Sequence, residues 1–308
     1  MRAMWLLLSS LLLVSWSAAA LAKSLSLTFD DGLNPAKHAN AARLNEQLIA
    51  GLRAERVTSM IFPSLSHVGG EPGLELIRAW SAAGHSVGNH TASHMSLSSP
   101  KMTLGDFAAD VAKADAVFRT VPRFVPMLRF PFLKEGDSIE KRDGIRAWMS
   151  ANGYKPAEVS IDTSDWYYNQ QFVAFTDAGL PDKAAQVQAA FVEHLLDRAS
   201  YYDNLAKRVL GRSPAHVMLL HTSAINAATI TTVIRAFRAH GWKIVSPPEA
   251  FRDPMYAMRP NIVPAGESIV WALAREKGID GLRYPGEDSV YEEPRLKSLG
   301  LVARPEGG

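Results

Sequence analysis

The chain is 308 residues long, with 33 basic and 31 acidic residues, a formal net charge of +2 and no cysteine. Near-balanced charge without a long run of either sign gives no reason to expect nucleic acid or an anionic membrane surface as a partner. The missing cysteines exclude disulfides, a lipid-modified cysteine anchor and thiolate metal ligands.

The first stretch, MRAMWLLLSSLLLVSWSAAALAK, has Arg2 as a positive start, an apolar run over 5–16 and a small-residue end. Ala20-Leu21-Ala22 fits a signal-peptidase site, so 1–22 is expected to be a signal peptide and Lys23 the mature start. The rival is an uncleaved anchor, because 3–22 carries no charge and is just long enough to span a bilayer. The small-residue end favours cleavage, with no stable membrane insertion afterwards. Either way the rest is expected outside the cytoplasm, periplasmic or secreted. Export without disulfides suits a bacterial periplasm or cell surface. Oligomeric state is left open.

From Lys23 onward, short β-rich runs alternate with helical segments. Strands are expected at 24–29, 58–62, 86–89, 127–130, 158–161, 216–220 and 243–245. Helices are expected at 36–53, 72–83, 138–149 and 229–239. A capping box at Thr103-Leu104-Gly105-Asp106 opens another, with Phe107, Val111, Ala114 and Phe118 on one face. Strands alternating with helices mean a parallel sheet. Closed on itself, it gives an α/β fold, a (β/α) barrel one strand short of the usual eight. The stretch 167–215 is too long for a loop and repeats Val187, Phe191, Leu195, Tyr202, Leu205 and Val209 at helical spacing. It is expected to be an inserted helix or helix pair over one side of the barrel mouth. The main domain is therefore 23–251. The Pro- and Gly-rich 252–308, helical at 267–277, forms an extension packed on the barrel.

Five short stretches fall at the expected strand ends, where barrel enzymes place their chemistry. The first is Asp30-Asp31-Gly32. On a regular strand the two carboxylates would point to opposite faces, but the glycine turn lets both converge on one pocket. A metal with a base beside it would reconcile two like charges so close. The second, NHTASH, sets His90 and His94 four apart, on one face of a helical turn. RFPF (129–132), DTSDW (162–166) and the strand ending on His221 complete the set. Singly each is weak; together they hold the parts of a hydrolytic metal centre.

The ordered set TFDDG, HTxxH, RxPF, DxxDW and LxH resembles the NodB-type polysaccharide deacetylases, carbohydrate esterase family 4. That resemblance implies the NodB-homology fold, a distorted (β/α) barrel of about seven parallel strands. It also implies metal-dependent deacetylation of a glycan, with an acetylated polysaccharide or oligosaccharide as substrate. Asp31, His90 and His94 would bind a divalent metal, zinc first, with cobalt, nickel and manganese as alternatives. Asp30 would be the general base. Arg129 would pair with it and keep its pKa low. The Phe132 backbone N–H would hold the oxyanion. His221 would be the general acid, its pKa raised by Asp165, with Asp162 the second choice. Leu219 would line the acetyl pocket and Trp166 would wall the groove.

Two positions depart from the family pattern: Leu33 where Pro is common, and Thr222 where an acid is common. Neither is a ligand or a proton carrier. His85 is read as a support for the turn before His90. His38, His67, His194, His216 and His240 are read as surface or packing residues. The leading function is de-N-acetylation of N-acetylhexosamine units in an exported or cell-wall glycan. The alternatives are an O-acetyl esterase on xylan or another polysaccharide and a non-catalytic glycan-binding relative. An iron oxygenase built on two histidines and a carboxylate is disfavoured by the β/α pattern and by Asp30, Arg129 and His221.

Overall fold

The structure, a computed structural model, describes residues 23–283 and 289–303. The expected signal peptide at 1–22 lies outside them, as do parts of the expected extension. The chain runs β1 (Lys23–Asp31), α1 (Ala41–Ala54), β2 (Met60–Pro63), α2 (Leu65–Val68), α3 (Glu71–Ala82), β3 (Ser86–Asn89), α4 (Leu104–Phe118) and β4 (Phe124–Leu128). It continues with β5 (Lys134–Gly136), α5 (Ile139–Ala151), β6 (Lys155–Pro156), α6 (Asp165–Asp177), α7 (Pro181–Leu210), β7 (Ala215–His221), α8 (Ala224–Ala239) and β8 (Trp242–Ile244). The last part holds α9 (Pro247–Ala250), β9 (Ala265–Gly266), α10 (Ile269–Glu276) and α11 (Glu292–Ser298). Among the described residues no helix is long and apolar enough to cross a membrane.

Seven strands form one parallel sheet in the order β6-β4-β3-β2-β1-β7, with β8 beside the start of β1. The expected fold, a distorted (β/α) barrel, is the one observed. Its closure explains why the expected strand 158–161 is scarcely a strand. After Ala157 N donates to Leu128 O (2.7 Å), the chain leaves β4 for β7. There Ser160 N donates to Val217 O and Leu219 N to Ile161 O (both 3.0 Å), and Ile161 bridges Met218.

β1 shows how the sequence drives this arrangement. Leu25, Leu27 and Phe29 alternate onto the helix-covered face, where Phe29 meets Trp80 of α3 at 5.3 Å. Ser26, Thr28 and Asp30 take the inner face, so small and polar side chains fill the narrow barrel. The expected face of α4 is the buried one: Phe107, Val111, Ala114 and Phe118. Thr103 caps it by accepting from Asp106 N (3.1 Å).

Two helix starts differ from expectation. Asn34 accepts Ala36 N on its side chain (2.9 Å) and His38 N on its carbonyl (2.9 Å), so 36–40 are turns and α1 begins at Ala41. α8 begins at Ala224 rather than at 229, with Ser223 as its cap. Its β-branched middle hides the helical signal. The long stretch after the fourth motif is the helix pair α6 and α7. Val187, Phe191, Leu195, Tyr202, Leu205 and Val209 are all buried. The tail returns to the barrel wall, where Tyr256 donates to Ala215 O (2.9 Å) and Ser268 to Ser160 O (2.9 Å).

Gly88, in β3, packs closely against a residue that supports the site. A Cβ there would stand 2.3 Å from the Phe62 ring, and Phe62 carries the Arg129 guanidinium 4.5 Å from its centroid. Gly88→Ala is expected to destabilise the fold by about 1–3 kcal/mol through overpacking. Denaturant unfolding against the wild type checks this; an unchanged midpoint would mean that Phe62 moves aside freely.

Candidate active site

β1 runs through both aspartates of the first motif, and its last residue breaks the alternation. Asp30 points inward with Thr28. Asp31 has a φ of 82° and Gly32 one of 92°, so the chain turns left-handed at the second carboxylate. Thr222 stabilises the reversal: its Oγ1 accepts Gly32 N (3.0 Å), while its own N–H and hydroxyl donate to Asp30 O (3.2 Å each). The threonine that departs from the family pattern thus holds the turn in place. The two carboxylates come together because Asp31 turns, not merely because a glycine follows.

Asp30 is buried against Arg129. Arg129 Nη1 donates to both Asp30 oxygens (3.1 and 3.2 Å), Nη2 to Thr28 Oγ1 (3.1 Å) and Nε to Ala157 O (2.6 Å). The expected pairing is present, but not its expected effect on acidity. Burial pushes the Asp30 carboxyl up to about 7, outweighing the opposite pull of Arg129 and then His221.

His90 and His94 do not lie on a helical turn. They lie on a loop in which Thr91 (φ 69°) and His94 (φ 60°) are left-handed. Asn89 accepts Thr91 N (2.8 Å) and Thr91 Oγ1 accepts His94 N (3.0 Å), and these bonds coil the loop so that both rings face Asp31. His90 Nδ1–H donates to Arg129 O (2.7 Å), which leaves Nε2 bare at 3.8 Å from both Asp30 Oδ2 and Asp31 Oδ1. His94 Nε2 is 3.4 Å from Asp31 Oδ1. Burial holds His90 well below the ordinary histidine range. Burial and then His90 push His94 down to about 3, so both rings are neutral at neutral pH.

His221 ends β7, in register with Asp30 on the neighbouring strand. Its Nδ1 lies 2.6 Å from Asp165 Oδ1 and its backbone N–H donates to Asp165 Oδ2 (2.7 Å). Burial alone would lower the His221 pKa, but Asp165, with Asp31 and Asp30 adding, raises it to about 10. Asp165, fully buried, is held below the carboxylate range: burial acts to raise it, and His221 and Asn226 outweigh that. Asp165 is thus the partner of His221, and Asp162, the second choice, instead lines the cavity. Asn226, overlooked in the sequence, donates to Asp165 Oδ2 (2.6 Å) and to His221 O (2.9 Å).

These groups open into a cavity of about 1050 Å³. Leu219 lies in its floor. Trp166, 39% exposed, and Phe132, 51% exposed, stand at its rim, and α6 adds Asn169 and Gln170. Phe132 has a φ of 57° and its ring lies 4.8 Å from that of His94. Two histidines read as surface or packing residues also reach the cavity: His38 at the mouth, and His67, whose Nδ1 is 3.6 Å from Asp31 Oδ1. The available signal for His67 was its place just after the second strand, on the rim where barrel sites gather. His85 does serve as a support, accepting Ser59 N (3.1 Å) beside Trp80. His194 and His216 are buried packing residues and His240 is exposed at the end of α8.

The residues around Asp31 fit a divalent cation. Asp31 Oδ1 is buried and finds no hydrogen-bond partner among the described residues, although three imidazole nitrogens lie 3.4, 3.6 and 3.8 Å from it. A bare carboxylate oxygen among imidazole nitrogens is a donor set of oxygen and nitrogen suited to zinc and its neighbours in the first transition row.

A family model for polysaccharide deacetylase matches residues 18–148, which takes in the first three motifs. A chitooligosaccharide deacetylase from Rhizobium leguminosarum bv. trifolii is 29% identical over 144 residues, 47% of this chain and 60% of that one. The chain therefore spans less than two thirds of that curated relative. Among solved structures, PdaA of Bacillus subtilis, a family 4 carbohydrate esterase, superposes with a TM-score of 0.51 at 20% identity, covering 75% of this chain and 81% of that one. A family 4 pseudoenzyme from Bacillus anthracis gives 0.52 at 14%, covering 75% and 66%. At such identities these two structures speak for the fold alone. With five ordered motifs on one rim of a seven-stranded barrel, the chain resembles the NodB-type polysaccharide deacetylases of carbohydrate esterase family 4.

Proposed function

We propose that the chain is a divalent-metal-dependent deacetylase that hydrolyses the acetamide of N-acetylhexosamine units in an exported or cell-wall glycan. The observation that carries this reading is the pairing of opposites across β1 and β7. A carboxylate fixed by Arg129 and an imidazolium fixed by Asp165 end adjacent strands, on either side of the Asp31 cluster. Hydrolysis of an amide needs both a base for the water and an acid for the amine.

Asp31, His90 and His94 would hold the ion, zinc in the first instance. When bound, it would supply Lewis-acid polarisation of the acetyl carbonyl and acidify water. Asp30, with its carboxyl near 7, accepts the proton of the attacking water at a carboxylate oxygen whose direction Arg129 sets. His221 donates from Nε2, since Nδ1 is committed to Asp165. Phe132 contributes its backbone N–H to the developing oxyanion. Leu219 receives the acetyl methyl, and Trp166 offers a flat apolar face to the sugar ring. An imidazolium that persists to about pH 10 favours an amide over an ester substrate, because an amine leaves only when protonated. Export rests on Arg2, the apolar run after it and the Ala20-Leu21-Ala22 ending.

The direct test is acetate release from peptidoglycan, chitooligosaccharides and acetylated xylan, each with zinc and with chelator. Chelator-sensitive acetate from an N-acetylated substrate is expected, reduced about 10²- to 10⁴-fold in Asp30→Asn. Acetate from xylan alone would make the protein an esterase. Release that survives chelation, or none from a zinc-loaded protein, would contradict the proposal.

The His221–Asp165 pair also sets the pH profile. His221 acts in its protonated form, so activity should persist until pH passes its pKa near 10. Asp165→Asn removes the charge that raises this pKa, so the alkaline limb should move down by about 1–3 units. A profile of kcat against pH that does not move would separate His221 from the acid role.

A further inference from the structure

We propose that His67 is a further protein ligand of the same ion, a third imidazole delivered from the turn after β2. This rests on the metal-centre reading above and extends it to a residue outside the five motifs.

The first support is distance. Asp31 Oδ1 has His94 Nε2 at 3.4 Å, His67 Nδ1 at 3.6 Å and His90 Nε2 at 3.8 Å, so His67 is nearer than one of the motif histidines. Two donors each about 2.0–2.1 Å from one ion, at a tetrahedral angle, stand about 3.4 Å apart. Asp31, His67 and His94 each bring a donor atom within 4.8 Å of the other two. The His67 and His94 rings meet edge to face with centroids 4.8 Å apart, so the two side chains are in direct contact beside Asp31.

The second support is the way the backbone is tied. α2 is only four residues long, yet it is bonded to both other parts of the cluster. Ser64 N donates to Asp31 O (2.9 Å), Leu65 N to Thr91 O (3.2 Å) and Ser66 N to Ala92 O (2.8 Å). The carboxylate, the His90–His94 loop and the His67 turn therefore form one hydrogen-bonded frame. Gly69 closes the turn at φ 74°, where any side chain would strike Asn34, so the turn is pinned on that side too. The competing partner of His67 is weak. Ser66 Oγ lies 3.4 Å from Nδ1 and is already engaged with Ser64 Oγ at 2.9 Å.

A third imidazole would favour zinc, cobalt and nickel over manganese, since nitrogen ligands suit the later ions. A catalytic ion with four protein donors can still admit substrate by expanding to five-coordination.

The test measures metal binding rather than turnover. Zinc affinity is read by competition with a chromophoric chelator for the wild type, His67→Ala and His94→Ala. X-ray absorption at the zinc edge then counts imidazoles. The side chain of His67 is 41% exposed, so its removal leaves the core intact. His67→Ala is expected to bind zinc at least about tenfold more weakly and to show one imidazole fewer. An affinity within twofold of wild type, alongside a loss in His94→Ala, would overturn the role of His67 alone. Weaker binding with an unchanged imidazole count would also overturn it, leaving His67 as a group that merely orients Asp31. A wild type that takes up no zinc would overturn the metal centre itself.

Discussion

Arg129 is the residue through which the parts of this site hold one another. Fully buried, it places its guanidinium on the Phe62 ring and directs its three nitrogens to Asp30, Thr28 and Ala157 O. Its backbone is as busy. Its N–H donates to Asn89 O, and its carbonyl accepts His90 Nδ1–H. One residue at the end of β4 thus aims a carboxylate on β1 and fixes the tautomer of an imidazole after β3. A buried guanidinium is costly to desolvate and stays only where its donors are met. That requirement makes the geometry of Asp30 and His90 a consequence of packing rather than of surface chance.

The acid–base logic follows from where burial wins and where charge wins. At Asp30 burial wins, and the carboxyl rises to about 7 despite Arg129. At His221 charge wins, and the imidazole rises to about 10 despite burial. A base that is not too acidic and an acid that stays protonated are what the proposed hydrolysis would need near neutrality from two groups on adjacent strands. Backbone strain gathers here as well. Of nine non-glycine residues with positive φ among those described, Asp31, Thr91, His94, Phe132, Leu133 and Ser164 belong to the loops around the cavity. Each such residue costs about 1–3 kcal/mol and persists only where its surroundings over-determine it. The hydrogen bonds from Thr222, Asn89 and Thr91 are that over-determination.

What could be read from the sequence divides along physical lines. The strands of the barrel and the faces of α4 and α7 were legible because buried apolar residues recur at the period of the element. The convergence of Asp30 and Asp31 could be inferred from two like charges at a strand end. The local geometry of the His90–His94 loop could not, because a spacing of four suggests a helical turn and left-handed residues other than glycine leave no mark in sequence. The acidity of Asp30 was misjudged for a related reason: a partner can be guessed from a motif, but the depth of burial that opposes it cannot. His67 escaped notice because nothing near it in sequence pairs with it. Its neighbours come from β1 and from the loop after β3, and only the barrel brings them together. The strand at 158–161 reads as β-rich because it lies against β7, although it makes too few ladder contacts to count as a full strand.

The central claim is that the bare Asp31 oxygen and its imidazoles form a metal centre while Asp30, one residue earlier, stays off the metal as a base. Anomalous diffraction at the zinc edge, from crystals of the zinc-loaded protein, tests both halves at once. The expected result is a single strong peak bonded to at least Asp31, His90 and His94, with Asp30 still paired to Arg129. A peak elsewhere, or an ion drawn onto Asp30 and away from Asp31, would contradict the division of labour between the two aspartates.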